Sequence, residues 1–541
     1  MANHRSSFGS GLGWRSGLSL VRPIGLIAIA LAVTASAPGQ SSAGGAPVGT
    51  FSGHGDVGTV LHSGSAAFDS ATGVFTLTGS GENVWGTSDA LQFVWKKLDG
   101  PDAALSAAIS FVGTGGNAHR KAMLMMRQSL DADSPYVDIA RHGDGLISLQ
   151  YRDEKGGVTR EVETGLSSPA ALRLVKRGDF FYLFSEEAGG GWKFSGAAMK
   201  LPMQSGYYLG IGVCAHDKDA VEKATFSKVE LSAAGPATAA TSAGGVLAST
   251  LETVAIASTD RRVVYTEAGH FEAPNWLRDE SGLLINENGR LERVEAAAVG
   301  GEPGRGTVMT WNGKPPVVLD SLPEMKLNND HGLSPDGKWI AFSDSTEPGG
   351  SRVYVMPASG GKPVKITADA PSYFHGWSPD GKTLAFVGER KGEFDIYTVP
   401  ATGGEPTQLT KAAGFNDGPD YSADGVWIYF NSTRSGHMQI WRMHTDGTGA
   451  EQVTHDATED WFAHPSPDGK SIVFLAYPAG TPGHPGSLDV TLRVIAAAGG
   501  EAHLLAKLWG GQGTINVPSW SPDSSKVAFV SYAMLPVDAE K

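Results

Sequence analysis

Cysteine is nearly missing from this sequence: Cys214 stands alone among 541 residues. One thiol closes no intramolecular disulfide and excludes a structural zinc site built from several cysteines. Charge is sparse too, at 18% of residues, and the balance is 43 − 57 = −14. A surface of that sign repels phosphate backbones and anionic lipid, so no nucleic-acid partner is expected. Long apolar runs are absent beyond the first residues, so no stable membrane span is expected once a leader is removed. HExxH and GxSxG do not occur, which removes the zincin and α/β-hydrolase signatures. Gly53-His54-Gly55-Asp56-Val57-Gly58 matches GxGxxG. It comes after no strand pattern and opens no helix, so a phosphate cradle is not expected there. Long amphipathic helical patterns are scarce, which points to an all-β chain.

The residues that are present agree. Glycine supplies 72 residues and proline 30, a level that suits many tight turns rather than a low-complexity chain. The length allows about two to four domains. Residues 1–43 carry Arg5, Arg15 and Arg22, no acid, an apolar run from Ile24 to Val33 and then small residues. This is the layout of a secretory signal, with cleavage expected after Ala37 or Ala43. Its removal leaves 40 − 57 = −17. A periplasmic or secreted bacterial location is expected, which the missing disulfides suit. Residues 232–249 are small, uncharged and rich in Ala, Gly, Ser and Thr. They read as a linker between a domain at 48–231 and one at 250–541.

The second domain is a repeat. Ser334-Pro335-Asp336-Gly337 returns at Ser378, Ser422 (with Ala423 for proline) and Ser466. The aspartates fall at 336, 380, 424 and 468, a period of 44 three times running. Ser521-Pro522-Asp523-Ser524 is a fifth copy after a longer gap, and Trp276-Leu277-Arg278-Asp279 a degenerate first. Proline presets φ, Ser and Asp side chains bond nearby amides, and glycine takes positive φ, so each copy is a turn between consecutive strands rather than a catalytic aspartate. Short strand patterns come after each turn, such as Thr383 to Val387 and Ile396 to Val399. Four short strands per unit of this length predict a β-propeller blade. The chain stops partway through its last unit, so Thr253 to Glu267 is expected to supply the missing outer strands and close a ring of six blades. These motifs resemble the WD40-like (PD40) repeats of TolB-type propellers over about 290 residues. The resemblance implies a scaffold whose function lies in its site, and the different domain in front departs from TolB itself.

Between 50 and 231 the pattern alternates at period two, as in Val74 to Thr78, Leu172 to Val175 and Tyr207 to Val213, which predicts a β-sandwich. The segments Trp85 to Trp95, Lys121 to Arg127, Gln150 to Arg152 and Ala224 to Val229 resemble a concanavalin A-like (LamG-like) jelly-roll family. That resemblance implies sugar-binding or noncatalytic accessory modules. Trp95, Arg127 and Arg152 are its candidate ligand-binding residues, on a polar strand face with Gln150. The alternative for the arginines is pairing with acids such as Asp89 and Asp138.

In the repeats, polar residues gather just before the turns: Asp330 and His331, His375, Asp417 and Asp420, Asp460 and His464, and Asn516. A propeller brings such positions to its channel. His331, His375 and His464 are candidate ligands for a divalent metal, although His331 and His375 lie three residues before their turn serine and His464 two, offsets that strand alternation turns different ways. The expected protein is an exported, noncatalytic binding protein: a jelly-roll sandwich and then a six-bladed propeller, recognising a polysaccharide, peptide or cell-envelope partner. The alternative is a carbohydrate-active enzyme, a metal-assisted lyase or hydrolase of acidic sugars working at the channel mouth.

Overall fold

The computed structural model describes residues 45–233, 245–299, 308–311, 313–319, 325–411 and 414–536. The expected leader at 1–43 lies outside the described residues. Among those described, every regular element is a strand. The all-β expectation is met.

In the N-terminal half, a seven-stranded antiparallel sheet orders Trp192–Lys200, Phe180–Glu186, Leu172–Arg177, Ala103–Phe111, Asp217–Ala233, Val74–Gly81 and Ser65–Asp69. A second sheet orders Gly53–Val57, Leu91–Leu98, Tyr207–Cys214, Lys121–Arg127, Tyr136–His142, Ile147–Arg152 and Arg160–Glu163. Their facing sides share one core. Leu105, Leu174, Phe181 and Leu183 from the first meet Val94, Leu124, Ile139, Leu149 and Ile211 from the second. The strand Phe180–Glu186 is apolar on both sides for a reason. Phe181 and Leu183 enter that core, while Tyr182 and Phe184 pack outward against Ala248, Ala533 and Leu535. Burying each such side chain is worth about 1.5–3 kcal/mol, so this strand fastens the N-terminal half to the rest.

The second sheet does not end at Arg160–Glu163. It continues through Arg261–Ala268, Val246–Ala255 and Lys526–Leu535, ten strands in all. The junction is parallel, with Val162 opposite Arg261 and Glu163 opposite Arg262. The segment expected to supply the missing outer strands, Thr253 to Glu267, begins too late: the strand that pairs along its whole length with Lys526–Leu535 is Val246–Ala255. Its first four residues fall inside the stretch expected as linker, and 234–244 lie outside the described residues.

Five further sheets of four or five strands come next, beginning at Phe271–Trp276, Leu327–Leu333, Ser372–Trp377, Asn416–Tyr421 and Glu459–Pro465. The repeated turn explains their regularity. In all five copies the serine Oγ donates to the aspartate Oδ1 at 2.6–2.7 Å. The same Oγ accepts the amide five residues on, at 2.9–3.0 Å. Proline takes no part in these bonds, so Ala423 keeps the turn. Glycine at 337, 381, 425 and 469 has φ of 69–71°, and Ser524 holds φ 62° in the fifth copy. Ser524 is retained against that strain with a compensation: its Oγ accepts the Asp468 amide at 3.0 Å.

Candidate functional site

The first strand of each separate sheet borders a central channel. Each carries a register shift near its middle: Glu272/Asn275, Leu327/His331, Phe374/Gly376, Asp417/Asp420 and Trp461/His464. A bulge adds a residue and re-aims the side chains beyond it. Gly418 takes φ 60°, and Phe462, one repeat on, takes φ 58° without being glycine. That conformation costs about 1–2 kcal/mol for an L-residue and lies on the cavity wall.

Two openings result. One is a cavity of about 320 Å³ lined by Asn328, Asn329, Asp330, Tyr373, His375, Val387, Phe394, Phe415, Asp417, Phe462, His484, Gln512 and Asn516. The other, about 270 Å³, lies beside the turns, between Arg278, Trp377, Asp420 and Trp520. Four expected residues, Asp330, His375, Asp417 and Asn516, therefore meet in the first. Asp420 faces the second.

His331 and His464 line neither. His331 is fully buried, with Nδ1 3.1 Å from Asn329 O and Nε2 without a partner. Burial pulls its pKa down to about 4. His464 has Nδ1 3.0 Å from Asp420 Oδ2 and Nε2 2.7 Å from Ile515 O. The three-histidine metal set is thus corrected: the bulges turn the imidazoles apart, and two of them serve the walls. Among the described residues, the metal-competent group whose ligand atoms all lie within 4.8 Å is Glu161, Glu163 and Asp260, outside the channel.

The electrostatics of the larger cavity centre on Asp417. Its Oδ1 is 3.3 Å from His375 Nε2 and its Oδ2 3.7 Å from His484 Nε2. The Gly418 amide donates to Oδ1 at 2.7 Å. Burial would raise the Asp417 pKa, but the His375 bond and charge outweigh it and hold the carboxyl below its usual range. Burial likewise opposes charging of His375, yet the bond to Asp417 and the charge of Asp330 raise its pKa. Each favours the charged form of the other. Asp330 is pushed up by burial. Beside it, Glu272 accepts from Asn329 Nδ2 at 3.3 Å and is raised by burial to about 7. Asp460 points away, bonded by Thr458 Oγ1 at 2.8 Å.

His484 and Gln512 join the site without belonging to the repeat motif. His484 sits in the loop between Ser471–Tyr477 and Leu488–Ala496, and its Nδ1 bonds Gln512 Oε1. A signal for this loop exists in the spacing: the aspartates at 468 and 523 are 55 apart, 11 more than the period.

In the N-terminal half the candidate ligand face gives way to the other expectation, pairing of the arginines with Asp89. Arg127 and Arg152 have no exposed surface. Both guanidiniums grip Asp89, at 3.3 Å and 2.8 Å, and their other donors reach carbonyls such as Asp131 O and Gly157 O. Asp89 is delivered by the small hairpin Val84–Trp85 with Ser88–Asp89. Trp95 is 8% exposed and stacks on Phe93. These residues hold the fold together and present no open ligand surface. The edge strand Gly53–Val57 pairs with Leu91–Leu98, which leaves its GxGxxG match without a helix.

Successive antiparallel sheets around a polar channel define a β-propeller. The TolB beta propeller domain family matches residues 370–491. A relative from Agrobacterium fabrum, "Uncharacterized protein Atu1656", is 45% identical over 292 residues, 54% of this chain and 95% of its own length. The chain belongs to the TolB-like β-propeller family. A solved TolB-type structure from Agrobacterium tumefaciens is 45% identical, with 54% of this chain and all of that one covered and a TM-score of 0.49. TolB from Acinetobacter baumannii is 19% identical over 48% of this chain and 56% of its own, with a TM-score of 0.35.

Proposed function

We propose that the protein is an exported, noncatalytic binding protein of the cell envelope, with its ligand site at the larger channel opening. One observation carries this reading: repeats far apart in sequence place Asp330, Tyr373 and His375, Phe415 and Asp417, Phe462 and Asn516 around one cavity of about 320 Å³. Buried polar groups are costly unless partnered, and a cavity of that size with few convergent polar groups suits a ligand. The ring is read as six-bladed. Its sixth blade is Lys526–Leu535, Val246–Ala255 and Arg261–Ala268, with the bridge Trp520 to Val527 on the inner side. The N-terminal half is read as a jelly-roll module. Export rests on the Arg5, Arg15 and Arg22 leader pattern.

The test titrates the purified protein against panels of short peptides and oligosaccharides, with Phe415→Ala and Asp417→Ala alongside. A ligand whose affinity falls roughly tenfold in both variants, and not in the surface control Val158→Ala, supports the reading. Binding indifferent to both variants overturns the site. Conversion of an oligogalacturonate to an unsaturated product would replace binding by the lyase alternative.

A further inference from the structure

We propose that the larger channel opening accepts an organic cation, the ammonium or guanidinium of a lysine or arginine side chain or of a free peptide amino terminus. This rests on reading that opening as the ligand site, and it narrows the ligand to one chemistry.

Four observations carry it. First, two carboxylates, Asp330 and Asp417, line the cavity, and among the described residues no lysine or arginine does. An anion would meet the repulsion of both carboxylates there, which counts against acidic sugars. Second, the carboxylates are unequally satisfied. Asp417 is taken by His375 and the Gly418 amide. Asp330 is 5% exposed and accepts from Asn328 Nδ2 through Oδ2 at 2.6 Å, while its Oδ1 receives no hydrogen bond from the described residues. Third, His375 Nδ1 is buried without a partner. A bound N–H donor satisfies both atoms when that imidazole is neutral, and the Asp330 oxygen in either state. Fourth, the rim is aromatic. Tyr373, Phe394 and Phe415 are partly exposed, and the Phe394 and Phe415 centroids are 4.7 Å apart. Ring faces carry negative potential and attract cations. Carboxylate below and aromatic rings around match an organic cation with an apolar stem. A divalent ion fits less well, because the cavity's histidine and carboxylate atoms do not converge as those of Glu161, Glu163 and Asp260 do. The volume lies at the low end of the roughly 300–1,000 Å³ of ligand pockets, which suits a side chain or a chain end.

The experiment titrates the full chain with three blocked amino acids of similar length: the methylamides of acetyl-lysine, acetyl-norleucine and acetyl-glutamate. The lysine derivative is expected to bind saturably, and the other two at least roughly tenfold more weakly. Asp330→Asn, which keeps the shape, should remove most of that preference. Phe415→Leu, on the rim and less exposed to folding defects, should weaken the lysine derivative several-fold. Equal binding of lysine and norleucine derivatives, a preference for glutamate, or displacement of the lysine derivative by calcium chloride alone at equal concentration would each overturn the proposal. If none of the three binds while a member of the peptide or sugar panels does so through Asp417 and Phe415, the cation is refuted and the site stands. If neither set binds, both fall.

Discussion

His464 Nδ1 lies 3.0 Å from Asp420 Oδ2, one whole repeat of 44 residues earlier in the chain. The other ring nitrogen reaches Ile515 O at 2.7 Å, in the next repeat. One buried imidazole therefore fastens three neighbouring repeats where their first strands crowd the channel. Removing one member of a buried pair strands the other, at about 3–5 kcal/mol. Asp420→Ala should lower stability by about 3 kcal/mol or more. In a urea double-mutant cycle with His464→Ala, a coupling energy near zero would show that the contact is incidental.

The Arg127–Asp89–Arg152 group predicts a similar penalty with a different readout. Asp89→Ala leaves two unexposed guanidiniums facing each other, and a loss of about 3–5 kcal/mol is expected. Differential scanning calorimetry should show a lowered melting temperature, while ligand titrations at the channel are unchanged. If ligand binding fails at a temperature where the variant is folded, the group reaches further than its contacts indicate.

His331 sets a pH dependence. Its folded pKa of about 4 lies below the ordinary 6.5 of the unfolded chain. Between those values the unfolded state binds the proton and the native state does not. The stability it contributes is complete above the unfolded value and is lost as pH falls toward the folded one, by on the order of 3 kcal/mol. Urea midpoints of the wild type and His331→Gln between about pH 7 and about pH 4.5 isolate this contribution. The difference between them should shift in favour of the variant on acidification. A constant difference would contradict a neutral buried imidazole. His375 acts in the opposite sense: its raised pKa contributes stability at low pH that is lost as pH rises through the folded value.

Arg261 donates to both oxygens of the fully buried Glu252, at 2.9 Å and 2.7 Å. Arg261→Ala leaves that carboxylate with the Ser531 hydroxyl but no counter-charge beneath the paired strands Val246–Ala255 and Lys526–Leu535, and about 3 kcal/mol should be lost locally. Hydrogen exchange should show Val246–Ala255 and Lys526–Leu535 losing protection while Ser372–Trp377 keeps its own. Uniform loss would mean that the ring opens as one unit.

The repeat is readable because its turn is a local device: serine, aspartate and glycine are adjacent, and their bonds span at most five residues. Counting strands in the last unit points to a closing segment from Thr253 onward, and misses that the strand pairing with Lys526–Leu535 starts at Val246. The channel is half readable. A period places residues at one height, but each bulge rotates the side chains beyond it, so His331 and His375 share an offset and not an environment. His484 is hidden in an insertion that breaks the period. The pairing of Arg127 and Arg152 with Asp89 is among the sequence expectations, but the hairpin that carries Asp89 over them is not, because a two-residue hairpin strand has too short a pattern to announce itself. The parallel junction of Arg160–Glu163 with Arg261–Ala268 matches only two residue pairs, far below what periodicity can signal.

That junction bears on solubility. Without it, Arg261–Ala268 would finish its sheet as an open edge, a row of unpaired amides and carbonyls that another chain can extend, and Arg160–Glu163 would do the same for the N-terminal half. Each half blunts the other's edge at Val162 and Glu163, where the Glu163 side chain also pairs with Arg262. Severing the halves would expose both edges together, so either fragment made alone should self-associate through its bared strand even where its own core stays folded.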